Sequence, residues 1–103
     1  MFIENFDKIY KFPLHTPYWA YTLTKDEMKV GYNQYAIRLT PTVLNNQSKY
    51  FSVLITKSET NIKCGIYGDR SVHPLEIFEL SKLDLKSIDT FKDLLGEKIQ
   101  KYE

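Results

Sequence analysis

This chain of 103 residues has little of what disulfide-stabilised or membrane-spanning proteins need. It contains one cysteine, Cys64, so an internal disulfide is excluded and the fold must depend on a hydrophobic core. Its longest apolar runs, such as residues 53–55, are far too short to span a bilayer. The first residues lack the basic and apolar regions of a secretory signal. We therefore expect a cytoplasmic protein that has no membrane partner.

The chain also has no large excess of charge. Its formal net charge is +1, which argues against a protein whose main task is to bind a phosphate backbone. The charges are nevertheless uneven along the chain. Residues 29–74 contain six basic and two acidic side chains, whereas residues 75–103 contain seven acidic side chains and five lysines. Such a polarised distribution can orient a partner.

The composition is that of a globular protein. Hydrophobic residues make up 43% and charged residues 26% of the chain, and neither repeats nor a flexible linker interrupt it. We therefore predict a single domain over residues 1–103. Tyrosine is unusually frequent, with eight residues. Tyrosine is favoured on surfaces that both pack and form hydrogen bonds.

Alternation of apolar and polar residues predicts an antiparallel β-meander. The clearest segments are residues 35–40, 51–56 and 62–67, in which every second residue is apolar and the intervening segments contain turn residues. Residues 18–23 are aromatic and favour a strand. Residues 75–80 are interpreted as a further strand, with a helix that begins at Pro74 as the alternative.

The C-terminal segment predicts an amphipathic helix. Its apolar residues form one stripe, which consists of Ile88, Phe91, Leu95, Ile99 and Tyr102. Ser87 is a suitable N-cap, and Gly96 suggests a close approach of another backbone. The fold class is therefore α+β, with an antiparallel β-meander of about four to five strands packed against this helix. We also predict a short helix within residues 2–10 and a helical turn that starts at the capping-box sequence of residues 24–27.

No group of residues identifies an enzyme, a metal site or a cofactor. His15 and His73 could act with Arg70 as the acid, base and cation of a metal-independent ribonuclease, so a small enzyme of this kind remains an alternative. Cys64 alternates with apolar neighbours, which predicts a core position rather than a nucleophile. The spacing of these residues matches no metal site. We therefore assign no catalytic residue and expect no metal and no cofactor.

The outer face of the predicted sheet is the most suggestive surface. Its residues combine basic and aromatic side chains, a combination that suits a protein partner or single-stranded nucleic acid. The binding residues that we predict on this face and in the neighbouring loops are Arg38, Tyr50, Lys63, Tyr67, Arg70 and His73. The alternative is that this face is covered by the aromatic side chains of residues 10–21.

The layout of a meander and one helix generally resembles small bacterial immunity proteins, phage inhibitors of host defence and antitoxin-like binders. The resemblance is architectural and includes no diagnostic motif, so it assigns no functional residue. The leading hypothesis is a small non-enzymatic domain that binds and masks another protein, such as a toxin or a defence factor. A single-stranded nucleic-acid-binding domain is the first alternative and the ribonuclease-like enzyme is the second. A homodimer is compatible with all three.

Overall fold

The structure is a computed structural model that describes residues 12–26, 30–44, 49–69 and 71–103. Within these residues the chain forms six strands, one α-helix and a short 3₁₀ turn. In chain order, the elements are β1 (Phe12–His15), β2 (Ala20–Lys25), β3 (Gln34–Pro41), β4 (Phe51–Lys57), β5 (Ile62–Gly68), β6 (Glu76–Leu80), α1 (Ile88–Ile99) and the C-terminal 3₁₀ turn (Gln100–Tyr102). The fold is α+β, as predicted.

The sheet is an antiparallel meander in which each strand pairs with the next along the chain. The predicted count of four to five strands is wrong, because the described residues contain six. The missed strand is β1, a segment of four residues that contains Pro13. Proline lacks an amide hydrogen but is tolerated on an edge strand, and Pro13 lies opposite Thr22 on the first strand of the sheet.

The alternation that predicted the central strands also correctly predicts which side chains enter the core. Phe51, Val53 and Ile55 of β4 are buried, and so are Ile62, Cys64 and Ile66 of β5. Their neighbours in sequence point to the opposite face. Residues 75–80 are also extended, as predicted, since β6 spans Glu76–Leu80.

Helix α1 covers the inner face of the sheet with the predicted stripe. Phe91, Leu95 and Ile99 are fully buried. The helix begins after Ser87, whose side chain accepts a hydrogen bond from the amide of Thr90, as expected of an N-cap.

The sheet curves around this helix, so that the first and last strands meet opposite sides of it. Gly96 lies against β1, whereas Lys98 places its ammonium group 4.9 Å from the Phe78 ring centre on β6. Each residue turns an α-helix by ~100°, so Gly96 and Lys98, which are two positions apart, point in directions ~160° apart. A flat sheet could not contact both sides, so the curvature follows from the packing.

Two local predictions need correction and one lies outside the described residues. Thr24 and Lys25 belong to β2, so no helical turn begins at Thr24. Gly96 does lie against β1, but a Cβ atom there would be 3.7 Å from the His15 carbonyl oxygen, an ordinary contact distance that does not require glycine. The predicted helix within residues 2–10 falls outside the described part of the chain.

Candidate functional site

The outer face of the sheet, on the side away from α1, carries rows of side chains that run across the strands, and three of these rows cross β3, β4 and β5. Directly paired residues share a face of the sheet, so the pairing register defines each row. The rows are Thr24–Arg38–Ser52–Tyr67, Ala36–Leu54–Gly65–Ile77 and Gln34–Thr56–Lys63–Glu79. The central row is apolar and has a polar row on each side.

A shallow groove of about 180 Å³ lies on this face where the three rows meet. Its lining residues are Leu54, Thr56, Lys63, Gly65, Tyr67 and Ile77. Gly65 is buried because the Tyr67 ring lies over it; a Cβ atom on Gly65 would be only 3.1 Å from Tyr67 Cε1. Ile77, by contrast, is 60% exposed at the edge of the sheet. The groove therefore combines apolar surface with one ammonium and one phenol group.

The two cations in the described rows of the outer face differ in their surroundings. Lys63 lies directly opposite Glu79, so an opposite charge faces it across the strands. The residues opposite Arg38 are Thr24 and Ser52, which are uncharged. Arg38 is exposed. A carboxylate on a partner would therefore gain most from Arg38, whose charge its cross-strand neighbours do not offset.

The structure brings only some of the predicted binding residues together. Arg38, Lys63 and Tyr67 lie on the outer face. Tyr50 directly precedes β4, and His73 is exposed in the connection between β5 and β6, so both lie at one end of the sheet. Arg70 lies outside the described residues. A binding role for these six residues stays a prediction.

The aromatic residues that were expected to cover the outer face in the alternative interpretation lie elsewhere. Phe12 and Trp19 pack against the core, and Tyr21 is buried within it beside Phe51. Tyr18 is largely exposed in the connection between β1 and β2. These four residues therefore do not cover the outer face, and Tyr10 lies outside the described residues.

The two histidines belong to different parts of the sheet. His15 ends β1, whereas His73 follows β5. Four strand spacings separate these strands, which is ~19 Å along the sheet. A general acid and base must both reach the reacting atoms at hydrogen-bond distance. A catalytic role for His15 and His73 stays a prediction.

The described residues were also compared with the requirements of a reactive thiol and of a metal site. Burial, with a smaller effect from the charge of Glu76, raises the pKa of Cys64 to about 12, so the thiol stays protonated and inert. Among the described residues there is no group of three or more metal-ligating side chains. No helix in this part of the chain is long and apolar enough to cross a membrane.

A second and larger groove, of about 350 Å³, lies between β1 and α1. It contains His15, but its helix side combines Lys92 with Asp93 and Glu97. These opposite charges are adjacent, so the groove has no consistent electrostatic preference for an anion or a cation.

Sequence reasoning missed part of the outer face. The apolar row of Ala36, Leu54, Gly65 and Ile77 was not proposed as a site, although alternation in β3, β4 and β5 already places three of its members on that face. The cross-strand register that aligns them into one row depends on the turn lengths. Comparison of the chain with protein-family models, with curated proteins and with solved structures gives no match.

Proposed function

We propose that this protein is a small binding domain that recognises another protein through the outer face of its sheet. When bound, it would cover a surface of the partner and so mask it, in the way that inhibitors and immunity proteins act. The observation that supports this proposal is the apolar row, which ends in the 60% exposed Ile77, with Arg38 and Tyr67 beside it. Apolar centres with aromatic and arginine residues are characteristic of the energetically dominant parts of protein interfaces.

The test is site-specific. A photoreactive amino acid at Ile77, on the outer face, should cross-link the partner in a lysate of the source cells. The matched control is Leu83, which is 74% exposed in the connection between β6 and α1. Once the partner is identified, Ile77→Glu and Arg38→Glu should each weaken its binding at least ~10-fold in calorimetry. Equal cross-linking at both positions, or unchanged affinity, would overturn the proposal.

A second candidate is binding of single-stranded nucleic acid. The alignment of Arg38, Ser52 and Tyr67 in one row supports it, because a guanidinium and an aromatic ring can together hold a phosphate and stack on a base. Titration with mixed-sequence RNA at two salt concentrations tests it. Salt-sensitive binding that is lost in Arg38→Ala and Tyr67→Ala would favour nucleic acid over protein.

A further inference from the structure

The two edges of the sheet differ in the backbone groups that they offer to another strand. In an antiparallel sheet, alternate residues of a strand bond to one neighbour and the intervening residues bond to the other. Strand β4 bonds to β3 through its odd-numbered residues, in line with the hydrogen bond from the Lys57 amide to the Asn33 carbonyl oxygen. It bonds to β5 through its even-numbered residues, in line with the bond from the Ser58 amide to the Asn61 carbonyl oxygen.

The same alternation defines the free edge of β6. The odd-numbered residues of β5 bond to β4, so its even-numbered residues bond to β6, where their register partners are also even-numbered. The backbone N–H and C=O groups of Ile77 and Glu79 therefore point away from β5. Ile77 is 60% exposed, and Glu79 is exposed as well. Within the described part of the chain, no hydrogen bond engages these four backbone groups.

The free part of this edge is limited at both ends. The Leu75 amide donates to the Ile66 carbonyl oxygen at 2.7 Å, and the Leu75 carbonyl oxygen accepts from the Tyr102 hydroxyl at 3.2 Å. After β6, the Ser81 amide donates to Asp84 Oδ2 at 2.8 Å. The edge between these points offers two N–H and two C=O groups. A short extended segment of another chain has the matching pattern of donors and acceptors.

The opposite edge, β1, is less available for pairing. The Thr16 amide donates to the Trp19 carbonyl oxygen, so the even-numbered residues of β1 bond to β2 and Pro13 faces outward. Proline has no amide hydrogen to donate. Helix α1 also lies against this edge, because Gly96 is next to the His15 carbonyl oxygen. β6 contains neither proline nor lysine, the residues that commonly protect an edge strand.

Most charges beside the β6 edge are balanced. Glu79 lies directly opposite Lys63 on the outer face. Lys82 and Asp84 carry opposite charges in the connection that follows β6. On the outer face an added segment therefore meets balanced charges and, at Ile77, the end of the apolar row. An apolar residue opposite Ile77 would extend that row.

The inner side of the same edge has an excess of one positive charge. Glu76 Oε1 lies 2.8 Å from Lys101 Nζ and 3.9 Å from Lys98 Nζ. Lys98 Nζ also lies 4.9 Å from the centre of the Phe78 ring. A residue directly opposite Phe78 on an added strand shares its face of the sheet, with Cβ atoms ~5 Å apart. A carboxylate at that position would therefore lie close to Lys98.

We propose that the partner adds an extended segment to β6 as a seventh, antiparallel strand, with an apolar residue opposite Ile77 and an acidic residue opposite Phe78. The inference rests on the proposed function and specifies the recognised part of the partner as an extended peptide. A second copy of this chain is less suitable. Self-pairing of the edge would place the two Phe78 residues opposite each other and bring the two Lys98 ammonium groups together.

Selection of linear peptides tests this inference before the partner is known. The probe is a phage-displayed library of random seven-residue peptides, and the target is the full chain. We expect selected peptides to contain an acidic residue next to an apolar one. Their affinity should fall at least ~10-fold in Glu79→Pro, which removes an edge N–H group. Glu79→Ala retains that group, so it is the matched control and should bind them with nearly unchanged affinity.

N-methylated peptides provide a second test, which also serves if far-ultraviolet circular dichroism shows that Glu79→Pro is not folded. In an added strand, alternate amides donate to β6 and the intervening amides point to solvent. Methylation of each amide in turn should therefore abolish binding at alternate positions only. Lys98→Gln should weaken binding of the acidic peptides ~2–5-fold, because it removes a charge beside their carboxylate. Lys92→Gln, on the side of α1 next to β1, is the matched control.

Three results would overturn the inference: a library that yields no binding peptide, binding that Glu79→Pro leaves unchanged, and methylation effects that do not alternate. Cross-linking of a partner from Ile77 in spite of such a result would leave the proposed function intact, with a folded surface of the partner as the recognised part. A chain that instead dimerises in sedimentation equilibrium, with a dimer that Glu79→Pro disrupts, would assign the edge to a second copy and overturn the inference.

Discussion

At the scale of single residues, the two buried glycines make opposite contributions. Gly96 lies inside α1, where glycine is less favourable than alanine by about 0.5–1 kcal/mol. A Cβ atom there would meet the His15 carbonyl oxygen at 3.7 Å and Leu14 Cδ2 at 3.9 Å, which are ordinary contacts. We therefore expect Gly96→Ala to raise the free energy of unfolding by about 0.5–1 kcal/mol in urea titrations.

Gly65 provides the control for this prediction. A Cβ atom at Gly65 would approach Tyr67 Cε1 to 3.1 Å, so the ring would have to move. Gly65→Ala should therefore give no comparable gain in stability. If both substitutions stabilise the chain equally, or if Gly96→Ala destabilises it, the packing described between α1 and β1 is incorrect.

Single residues also show what the sequence could and could not predict. Cys64 is correctly predicted in the core because alternation depends only on the local geometry of a strand. The hydrogen bond from the Tyr21 hydroxyl to Glu103 Oε2, at 2.5 Å, joins residues 82 positions apart. No local pattern predicts such a contact, since it requires the helix and the sheet to be assembled first.

At the scale of elements, the attachment of β6 to the end of the helix depends on one carboxylate. Glu76 Oε1 lies 2.8 Å from Lys101 Nζ and 3.9 Å from Lys98 Nζ. The pKa of Glu76 lies below its usual value, mainly because Lys101 donates a hydrogen bond to the carboxylate. Partial burial acts in the opposite direction and raises this pKa. The ion pair therefore stabilises the fold only while Glu76 is ionised.

The pH dependence of this contribution follows from the lowered pKa. The stabilisation is fully present above the pKa of Glu76 in the unfolded chain, near 4.5, and is lost as the pH falls through the lower pKa of the folded state. Glu76→Gln should lower the urea midpoint at pH 7, and the difference from the unaltered chain should shrink below pH 4. Glu79→Gln, on the exposed outer face of the same strand, is the control. If Glu76→Gln lowers the urea midpoint equally at pH 3 and pH 7, the ion pair of Glu76 does not stabilise the fold as described.

Elements with strong local patterns were predictable, and elements that depend on tertiary context were not. β3, β4, β5 and α1 have clear periodicities and appear where they are expected. β1 has four residues, and one of them is Pro13, so only its pairing with β2 identifies it as a strand. Thr24 matches a capping box by sequence, but pairing with Arg38 keeps it in β2. Cross-strand hydrogen bonds outweighed the local helical preference there.

At the scale of the whole molecule, the topology separates two surfaces. The helix covers the inner face, no helix or strand of the described residues covers the outer face, and the C-terminal residues form hydrogen bonds to three connections at one end. The sequence alone could not reveal this end, because without β1 the β1–β2 connection is not recognised. The exposed residues Leu44 and Val72 then resemble isolated apolar residues in turns.

Stability at alkaline pH tests the core as a unit. Burial raises the pKa of Cys64 to about 12. It also raises the pKa of Tyr21 above its usual value near 10, with further contributions from the hydrogen bond to Glu103 and from its charge. Well below pH 9 both groups are protonated in the folded and the unfolded chain, so the fold keeps its full stability. Above pH 9 for Cys64, and above pH 10 for Tyr21, the unfolded chain releases protons that the folded chain retains.

The free energy of unfolding should therefore fall as the pH rises above 9, by about 1.4 kcal/mol per pH unit for each group that titrates only in the unfolded chain. Urea titrations at pH 7, 9, 10 and 11 measure this slope. Cys64→Ala should be less stable than the unaltered chain at pH 7, because it leaves a cavity, yet should lose less stability between pH 9 and pH 10. Tyr21→Phe should reduce the slope only above pH 10. If both variants follow the slope of the unaltered chain, these two groups ionise equally easily in both states, and the core is more accessible to water than the structure shows.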